Sequence, residues 1–208
     1  MFILFIVLAQ LAGDSLGRAD TAVRGAFAFL YAMPRDTAGA DMGEWVLDTE
    51  ATTSAPDPSG TWRIVVTQLV DTGNALDLSE LVGPPGTSPA ELAAAAAAMQ
   101  KLEGKISKAE AESSLDITVT LGSPATMPPV TDSAPTTRPS VPGALATRRV
   151  AGHFTRVLDR ELGIEYERWS TATLYVQFGN VAVAAEGNEQ MIDRVIKQTR
   201  WDLLAAIR

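Results

Sequence analysis

The stretch "TLYVQFGNVAVAAE", residues 173–186, decides the fold because it holds two strands and the turn between them. On both sides of Gly179-Asn180, apolar residues alternate with polar or small ones, which is the pattern of a half-buried strand. A Gly-Asn pair between two such runs is typical of a two-residue hairpin turn of the primed type. The hairpin is expected to bury one face made of Leu174, Val176, Phe178, Val181, Val183 and Ala185.

The residues on either side of this hairpin extend it into a unit over 148–208. "TRRVAGHFTRVLDRELG", residues 147–163, has apolar residues at helical spacing and predicts an amphipathic helix that ends at Gly163. "IEYERWS", residues 164–170, alternates as a strand. Asn188 is predicted to cap a last helix over 189–207. The predicted order of the unit is therefore α-β-β-β-α.

Two further strands are predicted in the first part of the chain. Residues 61–70 are rich in Val, Ile and Thr with apolar residues on both faces, as in a central strand, and 114–121 alternates as a half-exposed strand. A unit of about sixty residues is marginal alone, so both strands should join the hairpin sheet. The predicted fold class is α+β: a small, mostly antiparallel sheet with helices packed on one face, preceded by apolar N-terminal helical segments.

Composition divides the chain into four segments. Residues 1–100 carry four arginines against twelve acidic residues, so the whole net charge of −8 lies there. Residues 122–147 contain six prolines and eight serines or threonines, which indicates a linker or a long surface loop. The predicted segments are an apolar N-terminal segment at 1–35, an acidic α/β half at 36–121, the Pro/Ser/Thr-rich stretch at 122–147 and the C-terminal unit at 148–208.

The N-terminal segment opens with an apolar run from Phe2 to Ala12, interrupted only by Gln10. As a helix this run is about 17 Å long, well short of the ~30 Å hydrocarbon core of a bilayer. Three interpretations follow: a cleaved secretory signal, a retained anchor against a membrane or protein partner, or a buried element of the core. A second apolar helix is predicted from a cap at Asp20 to Pro34.

Two apolar segments this close together need either lipid or a protein partner. The residues predicted to contact a membrane or a partner are Phe2, Ile3, Leu4, Phe5, Ile6, Phe27, Phe29 and Leu30. The predicted location is extracytoplasmic (periplasmic or secreted) or membrane-associated, with the cytoplasm left open.

Several classes of site are excluded by sequence. The absence of cysteine excludes disulfides, thiolate metal sites and iron–sulfur clusters. "GPPGT", residues 83–87, begins like a phosphate-binding loop, but Ser88 and Pro89 stand where that loop needs a glycine and a lysine. These letters instead predict a capped helix start, so no nucleotide is expected. No nucleic acid is expected either, because the acidic half repels phosphate backbones.

The remaining candidate sites are sparse. His153 is the single histidine and no H-x-x-E or H-E-x-x-H spacing occurs, so neither a metal nor a cofactor is expected. Glu165 and Glu167 share one strand face and, with Glu186, form the candidate carboxylates of a hydrolase. An aromatic surface for a ligand is a further candidate, made of Tyr166, Trp169, Tyr175 and Trp201.

These observations favour a non-enzymatic accessory or binding subunit, exported or membrane-associated, that acts through protein–protein contacts. Its expected partner is a protein such as an integral-membrane complex. Two alternatives remain open: a hydrolase with a carboxylate-based site, and a soluble ligand-binding module.

Overall fold

The computed structural model describes residues 16–35, 41, 43–69, 108–109, 111–122, 135–159 and 164–207. The strands are β1 (Trp45–Leu47), β2 (Thr61–Gln68), β3 (Ser114–Leu121), β4 (Thr136–Thr137), β5 (Ala146–Val150), β6 (His153–Asp159), β7 (Ile164–Ser170), β8 (Ala172–Gln177) and β9 (Val181–Gly187). The helices are α1 over 16–26, α2 (Ala28–Tyr31), α3 (Glu189–Gln198) and α4 (Trp201–Ala205).

The described strands form two antiparallel sheets in a mixed α+β fold. The larger sheet has seven strands in the order β1-β2-β3-β9-β8-β5-β4, and the smaller one pairs β6 with β7. The prediction that the strands near residues 61–70 and 114–121 join the hairpin sheet is confirmed, because β2 pairs with β3 and β3 pairs with β9. The hairpin β8–β9 therefore lies inside the sheet.

The hairpin has the predicted register and buried face. Gln177 lies opposite Ala182, and the N–H of Phe178 donates to the Val181 carbonyl at 2.8 Å, which closes a two-residue turn. All six side chains of the predicted face are at most 2% exposed. The turn type was predicted wrongly, because neither Gly179 nor Asn180 has the positive φ that primed turns require. The flanking strands β3 and β5 hold this register whatever the turn type.

The helix predicted over 147–163 is wrong. Residues 146–150 and 153–159 are the strands β5 and β6, with Ala151 and Gly152 between them. Thr147, Val150, Phe154, Thr155 and Val157 are residue types that pack well on a pleated surface, and β8 and β7 supply the backbone hydrogen-bond partners of β5 and β6. The unit at 148–208 therefore begins with strands, and β5 starts at Ala146, inside the stretch assigned to a linker.

The last helix is capped as predicted but is not continuous. The side-chain oxygen of Asn188 accepts a hydrogen bond from the Met191 N–H at 3.0 Å, which confirms the cap. Thr199 and Arg200 interrupt the helix between α3 and α4. There the N–H of Arg200 donates at 3.1 Å to the carbonyl of Ala26 at the end of α1. The break thus satisfies a carbonyl that the end of a helix leaves open.

The second apolar segment packs into the protein's own core. Asp20 is an internal residue of α1 and not its N-cap, and its carboxylate accepts hydrogen bonds from Trp62 Nε1 at 2.8 Å and Arg24 Nε at 2.9 Å. Phe27 and Leu30 are fully buried, and Phe29 is half-buried against the same core. This packing corrects the predicted membrane or partner contact of Phe27 and Leu30, because neither side chain is accessible.

The predicted contacts at Phe2, Ile3, Leu4, Phe5 and Ile6 lie outside the described residues, as do the loop at 83–89 and the helix predicted after it. Within the described ranges, no helix combines the length and the apolar character needed to cross a membrane. One core cluster joins residues of α1, α2, α3 and α4 to the buried face of the sheet. Its largest fully buried side chains include Trp62, Phe27, Phe178, Leu30, Ile64, Leu115, Ile117 and Leu174.

Candidate functional site

The β5 side of the large sheet carries an open groove. β4 pairs only with Val150 and Arg149 of β5, so in the described part of the chain no strand covers residues 146–148. A groove of about 610 Å³ opens beside this uncovered length. We call it the edge groove; its lining residues are Thr136, Arg138, Pro139, Ser140, Val141, Ala144, Leu145, Ala146, Thr147 and Arg148.

The chain's own loop lies beside β5 at one position. The N–H of Ala151 donates to the Pro135 carbonyl at 3.0 Å, and successive residues of an antiparallel strand direct their polar groups to opposite sides. Counting back by twos from Ala151, the N–H and C=O of Thr147 point to the same side, where the β4–β5 register places Pro139 opposite Thr147. The Thr147 hydroxyl donates to the Pro139 carbonyl at 2.7 Å, which holds the neighbouring loop in place.

The apolar part of the groove includes an exposed leucine. Leu145 is 75% exposed, while its N–H donates to the Gln177 carbonyl at 2.7 Å. The loop before it turns at Gly143, where φ is +76° and an added Cβ would lie 3.0 Å from the Ala205 Cβ. Leu145 is therefore a large apolar side chain that an anchored backbone presents to the outside.

Two arginines give the groove its charge. Arg148 lies with its guanidinium carbon 5.3 Å from the centroid of the Tyr175 ring, and Arg138 is exposed. Among the described residues, no carboxylate forms an ion pair with Arg138. The neighbouring Arg149 points to the helix side and pairs with Asp193 of α3 at 3.2 Å. The groove therefore combines positive charge with an exposed apolar side chain.

A second polar cluster lies on the outer face of the sheet. Asp116 of β3 stands directly opposite Glu186 of β9, and Arg63 Nε donates to Asp116 Oδ2 at 2.9 Å. The other oxygen, Asp116 Oδ1, is buried and has no hydrogen-bond partner among the described residues. Burial raises the pKa of the nearby Tyr175, and the Glu186 carboxylate raises it further.

The three glutamates that the sequence singled out lie in two different sheets. Glu165 and Glu167 lie on β7 of the two-stranded sheet, and only their backbone is described, whereas Glu186 lies on β9 of the large sheet. Sequence analysis missed Asp116 because only the strand register shows that it faces Glu186. It also missed Arg138 and Leu145, because both lie in the Pro/Ser/Thr-rich stretch.

The other candidate side chains make contacts within the protein itself. Trp201 is buried and donates through Nε1 to the Ile196 carbonyl at 3.0 Å, so it lies in the core and not on an outer aromatic surface. Lys108 Nζ lies 4.8 Å from the centroid of the Trp169 ring. His153 Nδ1 lies 3.1 Å from the Ala151 carbonyl oxygen. Among the described residues, no group of three His, Asp or Glu side chains is placed to hold a metal ion.

Comparison with protein-family models, curated proteins and solved structures finds no match to this chain. The functional argument therefore depends on the geometry of the two clusters. The edge groove has an accessible apolar group and positive charge. The outer-face cluster has two facing carboxylates, one of which is bound by Arg63.

Proposed function

We propose that this protein is a non-enzymatic binding subunit, exported or membrane-associated, that acts through protein–protein contacts. In this proposal the helices cover one face of the large sheet, and the partner binds at the edge groove. The observation that carries the proposal is the exposed Leu145 beside the uncovered length of β5.

The two edges of the sheet differ in a way that supports this proposal. At the β1 edge, the Leu47 N–H donates to the Pro34 carbonyl at 2.8 Å, so the chain itself occupies that edge. At the β5 edge, β4 pairs with only two residues, and the loop after β4 lies beside Thr147, whose hydroxyl donates to the Pro139 carbonyl at 2.7 Å. Proteins usually cover or charge an open edge because it can pair with another chain. Strand pairing thus covers only two residues of the β5 edge, and the exposed Leu145 beside it is suited to a partner.

The proposed location is supported by the sequence. The apolar run at 2–12 needs either removal or cover, and the Ser/Thr/Pro-rich composition of 122–147 is typical of an exported chain. An integral-membrane complex is the partner proposed here, because it would supply both the apolar environment for that run and a protein surface for the edge groove.

A photocrosslinking experiment in cells tests the proposed function. Benzoylphenylalanine at Leu145 is expected to give one discrete adduct with the same partner in repeated preparations, and the adduct should stay with carbonate-washed membranes or the extracytoplasmic fraction. The matched control places the same group at Ala55, an exposed position in the loop between β1 and β2 at the opposite end of the sheet.

Three outcomes would contradict the proposal in whole or in part. Absence of an adduct from position 145, or the same adducts from positions 145 and 55, would remove the edge groove as the contact surface. An adduct found only in the soluble cytosol would agree with a binding subunit but would contradict its proposed location.

The facing pair Asp116 and Glu186 favours one alternative, a hydrolase with a carboxylate-based site. Carboxylates directly opposite on neighbouring strands have Cβ atoms about 5 Å apart, close enough to act on one bond. If the alternative holds, Glu186→Gln and Asp116→Asn should each lower hydrolysis about 100-fold or more in a panel of glycoside and ester substrates. Glu50→Gln, in the exposed β1–β2 loop, is the control. Unchanged rates in both variants, or an inactive wild-type protein, would exclude this site.

A further inference from the structure

We propose that the partner protein binds through an amphipathic helix, which packs its apolar side over Leu145 and places a carboxylate beside Arg138. This inference rests on the proposed binding function and specifies the part of the partner that makes the contact. It is supported by an exposed apolar surface around Leu145, by the loop that already occupies the β5 edge, and by the charge of Arg138.

The loop that carries Leu145 packs on the end of α4. The Ala144 N–H donates to the Val141 carbonyl at 3.2 Å, and Pro142 followed by Gly143 with φ +76° is the pattern of a type II turn. A Cβ added to Gly143 would lie 3.0 Å from the Ala205 Cβ, so the turn and the helix end are in contact. Several residues there are exposed and carry no polar side chain. We call them the apolar ledge: Pro142, Gly143, Leu145, Ala205 and Ala206.

Leu145 is the most prominent side chain of the apolar ledge. It is 75% exposed, whereas Leu16, the other exposed large apolar residue in the described ranges, is 39% exposed. Its backbone is held in place, because Val141 is buried in the core cluster and the Leu145 N–H donates to the Gln177 carbonyl at 2.7 Å. Binding to a backbone that is already ordered costs little conformational entropy. Leu145 is therefore suited to anchor a partner.

The occupied edge of β5 indicates the form of the partner segment. The β4–β5 register places Pro139 opposite Thr147, and the Thr147 hydroxyl donates to the Pro139 carbonyl at 2.7 Å. The partner must therefore make its contact here through side chains and not by pairing as a strand. An α-helix completes its own backbone hydrogen bonds and presents apolar side chains at positions i, i+3, i+4 and i+7. The short residues around Leu145 allow such a helix to pack closely.

Arg138 supplies a charge on one side of Leu145. It is exposed and lines the same groove as Leu145, and no carboxylate of the described residues forms an ion pair with it. A partner carboxylate can accept two hydrogen bonds from one guanidinium group. Because the chain has a net charge of −8, an acidic helix would be repelled from most other positions. Arg138 would therefore fix the position and the direction of the bound helix.

A peptide selection tests this inference on the full chain. Random peptides of about sixteen residues, enough for about four helical turns, are displayed on phage and selected on the wild-type protein. Selected peptides should combine apolar residues at helical spacing with an Asp or Glu. The strongest binder should gain helical circular dichroism when it binds, and a proline in its middle should weaken binding about tenfold or more.

Matched variants locate the binding on the apolar ledge. Leu145→Asp is expected to weaken the peptide about tenfold or more, whereas Ala55→Asp, in the exposed β1–β2 loop, should leave the Kd unchanged within about twofold. Arg138→Glu should weaken it about fivefold or more, and lysine in place of the peptide's acidic residue should restore binding to that variant. Arg35→Glu is the charge control. All four side chains are exposed, so the thermal midpoints should match wild type.

Any of four results would overturn the inference: no peptide whose binding depends on Leu145, a bound peptide that gains no helix, a central proline without effect, or equal effects of Arg138→Glu and Arg35→Glu. Binding to phosphatidylglycerol vesicles that Leu145→Asp abolishes would identify a lipid surface as the occupant and contradict it. Self-association lost in the same variant would identify a second copy of this chain and also contradict it.

The crosslinking experiment and the peptide selection have distinguishable failures. If a Leu145 crosslink forms in cells but no helical peptide binds, the proposed function stands and this inference fails. If a helical peptide binds but no crosslink forms in cells, the proposed function fails, although the apolar ledge is then shown to bind a helix.

Discussion

Gly187→Ala is expected to destabilise the folded protein by about 3 kcal/mol or more. Gly187 has φ +141°, and an added Cβ would lie 2.0 Å from the Ser114 carbonyl oxygen and 2.8 Å from the Leu115 Cα. Both obstacles are backbone atoms of β3, which is paired on its other side with β2. The strand cannot move away without disturbing the centre of the sheet. Urea unfolding followed by circular dichroism measures the effect.

Gly179→Ala is the matched control, since Gly179 lies in the turn of the same hairpin. It lacks a positive φ, and nothing lies within 4 Å of an added Cβ. The expected change in the free energy of unfolding is within about 0.5 kcal/mol. Equal effects of the two substitutions would show that β3 and β9 do not approach as closely as the structure has them.

Trp62→Ala is expected to cost about 3–5 kcal/mol of stability, the range for truncating a large aromatic residue in a core. Trp62 is 0% exposed and lies on β2, and its indole N–H donates to Asp20 of α1 at 2.8 Å. The substitution would therefore remove both core volume and the hydrogen bond that connects α1 to the sheet. A loss as small as that of a surface substitution would show that α1 is not docked there. The measurement is again urea unfolding.

Trp62→Phe distinguishes the contribution of the hydrogen bond to stability from the contribution of core packing. Phenylalanine keeps much of the apolar volume but cannot donate to Asp20, so a loss of about 1–3 kcal/mol is expected. In an Asp20→Ala background the effect of Trp62→Phe should be smaller, with a coupling energy of at least about 0.5 kcal/mol. Strictly additive losses would mean that the indole–carboxylate contact contributes nothing to stability.

Much of the sheet could be predicted because its strands carry local signals. The hairpin at 173–186 and the strand β3 alternate with period two, and their apolar sets are the faces that the core buries. The strand β2 was recognised by its Val, Ile and Thr content. The Asn188 cap is also a local feature, since the side chain bonds to an N–H three residues on. Each of these signals depends on neighbouring residues alone.

The wrong predictions have a common physical cause. The apolar residues of 147–163 fit a helix by spacing, but β8 and β7 offered hydrogen-bond partners in the extended state. The break at Arg200 depends on the Ala26 carbonyl, and the role of Asp20 depends on Trp62, a residue 42 positions away. In each case a distant group changed the preferred local structure.

The residues of the candidate site were even harder to predict from local sequence. Composition identified 122–147 as exposed and rich in proline, yet gave no reason to select Arg138 or Leu145 within it. Their importance comes from a loop that passes beside the uncovered part of β5. Likewise, Asp116 and Glu186 are 70 positions apart in the chain, and only the β3–β9 register brings them opposite each other.

The amino-acid sequence by itself determined which face of the hairpin strands and of β3 is apolar, where the last helix begins, and that cysteine-based chemistry is excluded. Those properties belong to single residues or to residues a few positions apart, where backbone geometry sets the spacing. Only the tertiary structure decided the strand order, the burial of Phe27 and Leu30 in the protein's own core, and the edge groove beside β5. Burial and strand pairing depend on which distant segments meet, because water is excluded and hydrogen bonds are completed by residues far apart in the chain.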